Sequence, residues 1–126
     1  MLKESKGKGK AYETNVLEVI KLIERKGYEN ILASVEPYEA PKLIESRSGG
    51  SGYVPDITAE KWGAKGYFEI ANKDDTPQAI AEKWLLLELL AKMKSGTFQI
   101  FAPRGTMNYT QRIVVDFNIQ AEVIKI

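Results

Sequence analysis

The stretch Ser48–Lys73 reads S-G-G-S-G-Y-V-P-D-I-T-A-E-K-W-G-A-K-G-Y-F-E-I-A-N-K. A glycine/serine loop leads into a strand over Tyr53–Trp62 that carries Pro55-Asp56. The run Trp62-Gly63-Ala64-Lys65-Gly66 predicts a hairpin connection, and Gly66–Asn72 predicts the returning strand. Side chains alternate along a strand. That rule puts Val54, Asp56, Thr58 and Glu60 on one face of the first strand, and Tyr67, Glu69, Ala71 and Lys73 on one face of the second. Asp56 and Glu69 are thus two carboxylates on neighbouring strands, with a lysine just beyond.

Around this hairpin the pattern is helix and strand in alternation. Tyr12, Val16, Val19, Ile20 and Ile23 recur at offsets of three and four, predicting a helix from about Gly9 to Lys26 that stops at Gly27. Tyr28–Val35 predicts a first strand, broken off by Pro37 and Pro41. Thr76 as N-cap and Pro77 at the first helical position open a helix to about Lys94, with Ile80, Trp84, Leu87, Leu90 and Ala91 on its buried face. Thr97–Pro103 reads as a strand. Residues 106–117 fit helix or strand by periodicity; a helix is favoured because the last strand, Ala121–Ile126, then has its crossover. The order α-β-β-β-α-β-α-β predicts an α/β chain with a mixed sheet and helices on both faces.

The 126 residues are enough for one domain with a real core. Residues 1–10, with Lys3, Lys6, Lys8 and Lys10, read as a basic flexible tail, and 11–126 as the domain. The chain has no cysteine and no histidine, which removes disulfides, cysteine nucleophiles, Ser-His-Asp triads and most zinc sites. Hydrolytic chemistry in such a chain rests on carboxylates, lysines, hydroxyls or a hard cation held by oxygen. The formal net charge of +1 does not announce a polyanion partner. No apolar run approaches a membrane span, and no secretory signal is visible, so the default address is cytoplasmic.

Three patches resemble one known family. Lys8-Gly9-Lys10-Ala11-Tyr12-Glu13 resembles a K-G-x-x-x-E helix opening. Glu24-Arg25-Lys26-Gly27-Tyr28 resembles a helix-ending KGY. The glycine/serine loop before Pro55-Asp56-Ile57-Thr58-Ala59 resembles a loop followed by P-D-I-x-A. In this order they resemble the PD-(D/E)XK nuclease superfamily, most of all archaeal Holliday-junction resolvases and small restriction-endonuclease-like proteins. The resemblance implies a restriction-endonuclease-like fold and a Mg²⁺- or Mn²⁺-dependent DNA endonuclease acting on branched DNA as a homodimer. It implies Asp56 and Glu69 as metal ligands, with a backbone carbonyl near Ile70–Ala71 as a third, Glu13 as an additional carboxylate at the metal, and a catalytic lysine, for which Lys73 is the candidate here. Glu13 also has a plainer reading, as a charge complementing the helix dipole.

The family's lysine falls at position 71, where this chain has Ala71. Either Lys73 substitutes, reaching back along the strand, or catalysis is lost and the fold survives as a nucleic-acid-binding or scaffold module. Lys8, Lys10, Lys42, Arg47, Lys65, Arg104 and Arg112 are the candidate phosphate contacts, with Ser51 from the glycine/serine loop. A third reading makes the chain a structural or assembly protein, with Asp56 and Glu69 as ordinary polar residues.

Overall fold

A computed structural model describes residues 9–45 and 52–126. The elements follow the predicted order: α1 (Gly9–Arg25), β1 (Glu29–Ala33), β2 (Ile57–Lys61), β3 (Ala64–Ile70), α2 (Pro77–Met93), β4 (Thr97–Ala102), α3 (Met107–Asp116) and β5 (Glu122–Lys125). The five strands form one sheet in the order β1-β2-β3-β4-β5. Its first half is antiparallel and its second half, from β3 to β5, is parallel. Parallel neighbours need a crossover, and α2 and α3 supply the two.

Each face of the sheet has its own core. On one side α1 lays Tyr12, Val16, Val19, Ile20 and Ile23 against Ile57, Ala59, Phe68, Ile70 and Phe101. On the other, Ile80, Trp84 and Leu87 of α2 and Ile113 of α3 pack on Tyr67, Ala71, Phe98 and Ile100. Strand alternation sorts these sets: Phe68 and Ile70 face α1, Tyr67 and Ala71 face α2.

Local chemistry explains where the helices stop. After α1, Tyr28 N–H bonds Ile23 C=O at 3.1 Å and Gly27 N–H bonds Glu24 C=O at 3.0 Å. This is the Schellman closure, and Gly27 takes the left-handed φ of +98° that it requires. Asn118 does the same after α3, with φ +54° and a bond from Ile119 N–H to Val114 C=O at 2.9 Å. Thr76 caps α2 by accepting the Ala79 N–H at 3.2 Å, with Pro77 in the first turn.

The hairpin is tighter than its glycine content predicts. Pairing continues to Lys61↔Ala64, so only Trp62 and Gly63 form the loop. Both have positive φ, +53° and +81°, as a two-residue primed turn demands. A left-handed non-glycine residue costs about 1–2 kcal/mol. Trp62 is 94% exposed, and the Lys61 ammonium lies 4.9 Å from the centroid of its ring. An exposed contact of that kind returns only about 0.5–1 kcal/mol.

At the same end of the sheet, Gly96 lets the α2–β4 connection lie directly on β3. A Cβ at Gly96 would sit 1.8 Å from the Lys65 carbonyl oxygen, and backbone cannot yield as a side chain can. Gly96→Ala is therefore expected to destabilise the domain by about 1–3 kcal/mol, the usual cost of overpacking. Urea denaturation of the two proteins checks it.

Candidate functional site

The two-residue turn decides what meets at the far end of the hairpin. Ile57 pairs with Phe68, so one step further Asp56 stands opposite Glu69. A looser loop would have offset them. Their contact is reciprocal. Asp56 N–H donates to Glu69 Oε2 at 2.8 Å, and Ile70 N–H donates to Asp56 Oδ2 at 2.8 Å. The two carboxylates thereby take over the hydrogen bonding of the strand ends just where the β2–β3 ladder stops.

Helices on both faces complete the cluster. Tyr12 of α1 donates its hydroxyl to Asp56 Oδ1 at 2.6 Å. From α2, Trp84 donates its indole N–H to Glu69 Oε1 at 3.3 Å, and the Lys83 ammonium lies 3.1 Å from the same oxygen. Asp56 and Glu69 are buried, at 5% and 2% exposure. All four carboxylate oxygens thus have protein donors.

The electrostatics follow from burial. Desolvation raises the Glu69 pKa, the Asp56 charge adds to it, and Lys83 offsets part, leaving it at about 7. Burial acts to lower the Lys83 pKa, but the Glu69 and Asp56 charges prevail and hold it above the usual lysine value. Burial and then the Asp56 charge push the Tyr12 phenol far up, so it stays a donor.

The other predicted residues lie elsewhere or play other parts. Glu13 is exposed on α1, and its neighbour Tyr12 is the side chain that reaches the pair. Among the described residues no group of three or more His, Cys, Asp or Glu could hold a metal ion. Lys73 is past the end of β3, which stops at Ile70, and its ammonium lies 6.0 Å from the centroid of the Tyr109 ring. Ala71 is packed in the α2-side core, and its N–H donates to Phe101 C=O at 2.9 Å. Lys10, Lys42, Arg104 and Arg112 are exposed. Lys8, Arg47 and Ser51 lie outside the described residues.

Lys83 was not singled out in the sequence, although a signal existed. It directly precedes the core residue Trp84, so it sits at the edge of the buried stripe of α2, where a long side chain can turn inward.

Magnesium needs near-octahedral oxygen ligation with several waters retained. Two buried carboxylates whose oxygens already accept bonds from Tyr12, Ile70, Asp56, Trp84 and Lys83 do not fit that demand as arranged.

Beside the cluster is a cleft of about 480 Å³ at the carboxyl ends of β3 and β4. It is lined by Tyr12 and Asn15 of α1, by Asn72, Lys73 and Asp74 after β3, and by Arg104 and Thr106 after β4. Crevices at the carboxyl ends of parallel strands are the usual ligand positions of α/β sheets. Tyr12, which bonds Asp56, lines this cleft, and Asp56 does not.

A group whose folded pKa is raised adds stability below its unfolded pKa and loses it as pH climbs through the folded value. For Glu69 that window runs from about 4.5 to about 7. Domain stability is expected to fall across it by on the order of 2–3 kcal/mol, and Glu69→Gln to flatten the slope. Lys83→Met should cost about 3–5 kcal/mol at pH 8, where it leaves a buried charge unpaired. At pH 5, where Glu69 can hold its proton, the cost should be clearly smaller. Denaturation at a series of pH values checks all three.

No protein-family model matches the chain, and neither the curated proteins nor the solved structures contain a match to it. The topology, three antiparallel strands extended by two parallel crossovers with helices on both faces, matches that of the PD-(D/E)XK-like nuclease superfamily fold.

Proposed function

We propose that this chain is a nuclease-fold module that binds nucleic acid without cleaving it. The observation that carries the reading is the closed acidic centre. Asp56 and Glu69 are the pair that the resemblance implies as catalytic, and every one of their carboxylate oxygens is held by the protein's own donors. The pair works as a polar cross-link between β2, β3, α1 and α2. Binding then falls to the neighbouring cleft, where Lys73 and Arg104 outnumber Asp74 in charge and Asn15 and Asn72 offer amide donors. Phosphate oxygens are the natural complement of that set.

One observation favours a second reading. Lys83 puts an ammonium 3.1 Å from Glu69 and so supplies from α2 the cation missing at Ala71. With the centre opened, Asp56, Glu69 and Lys83 would form the protein part of a Mg²⁺-dependent DNA endonuclease. In this reading the chain acts as a homodimer on branched DNA, because symmetric cutting of two strands needs two copies.

Incubation with junction, duplex and single-stranded DNA in Mg²⁺ or Mn²⁺ separates the two. The first reading expects intact DNA, no heat of metal binding in calorimetry, and salt-sensitive DNA binding that falls about tenfold or more in a Lys73→Ala/Arg104→Ala variant. Metal-dependent cleavage that disappears in both Asp56→Asn and Lys83→Ala would overturn it in favour of the second.

A further inference from the structure

The hairpin tip is at the opposite end of β2 and β3 from the acidic centre, about 20 Å away along the strands. Neither stability nor turn chemistry accounts for Trp62 there. The first loop position of a primed turn suits Asn, Asp or Gly, which tolerate positive φ, and Trp62 holds φ +53°. Its ring is 94% exposed, so it gains almost nothing from burial. The other tryptophan, Trp84, is 3% exposed and plainly part of the core. A bulky ring held at a strained tip in water points to something that covers it.

The surroundings indicate what that is. The Lys61 ammonium lies between two rings, 4.9 Å from Trp62 and 5.4 Å from Tyr28. The end of α1 abuts the same spot: a Cβ on Gly27 would touch Lys61 Cε at 3.5 Å, and Arg25 and Lys26 directly precede that glycine. Lys65, one residue past the Ala64 that pairs with Lys61, faces the other side of the sheet, opposite Glu60 and 5.9 Å from the Tyr67 ring centroid, and takes no part. Two carboxylates share this end of the sheet, Glu29 and Glu60, which face each other across β1 and β2; Glu60 accepts a bond from Asn30 at 3.1 Å. An aromatic platform flanked by cations suits a ligand with flat rings on a polyanionic backbone.

We infer that Trp62, with Lys61 and the Arg25-Lys26 end of α1, forms a second nucleic-acid contact that stacks an unpaired base of a single strand. It is separate from the cleft and stands whether or not the acidic centre is catalytic.

Tryptophan emission tests it directly, because Trp84 is buried and gives a constant background. Titration of the intact protein with oligo(dT) at low salt is expected to quench the solvent-exposed emission to saturation. Trp62→Ala should remove the quench and weaken binding about tenfold, and Trp62→Phe should keep most of the affinity. Trp62→Asn suits the turn better, so it should raise the melting temperature while weakening binding, which rules out misfolding as the cause. Lys73→Ala/Arg104→Ala should leave the quench amplitude intact, so failure of the cleft and failure of this contact are read separately. Unchanged oligo(dT) affinity in Trp62→Ala, or an equal quench by an abasic strand or blunt duplex, would overturn the inference.

Discussion

The reciprocal bonding of Asp56 and Glu69 is the constraint on which the rest of the structure depends. Each carboxylate accepts a backbone N–H from the other's strand, at Ile70 and at Asp56. Burying two acids side by side is costly unless their oxygens are satisfied. The fold meets that requirement from three directions: strand backbone, the Tyr12 hydroxyl of α1, and Lys83 with Trp84 of α2. A buried network of this kind penalises partial formation. It therefore ties both helices to one arrangement of the sheet.

This network also recasts the resemblance to a nuclease. The topology matches that of the superfamily fold, and the acids occupy directly opposed strand positions. What differs is access. Helix α1 offers a phenol where the resemblance implied Glu13, and a phenol with a strongly raised pKa donates rather than ligates. The cation comes from α2, through Lys83. Chemistry on a fold belongs to its site, and here the site's donors are spent on holding the fold together.

Much of this was readable in the chain. The 3.6-residue periodicity of Tyr12 through Ile23 marked α1 and its buried face, and Gly27 its end. Thr76-Pro77 marked the start of α2, and the need for a crossover resolved residues 106–117 as helix. Asp56 and Glu69 were found by strand alternation and by resemblance. The hairpin was harder. Gly63 and Gly66 suggested a longer loop, but Gly66 pairs within the ladder opposite Ala59, and a tryptophan is a poor sign of a left-handed turn residue. Lys83 was missed because it is separated from Glu69 by a turn and two helical turns, and no local spacing reports a contact made by tertiary packing. β3 ends before reaching Lys73, so the strand alternation that gave it the same facing as Glu69 does not extend to it.

The two-residue connection at Trp62-Gly63 carries a further consequence. Its length sets the register that brings the distant acids face to face, whereas the ring at its apex touches none of them. Insertions or deletions there would scramble an interior network many residues away. Exchanges of the Trp62 side chain would alter the outer surface and the strain of the turn but leave the register in place. Evolution can thus vary what this corner presents to solvent while the spacing beneath it stays frozen.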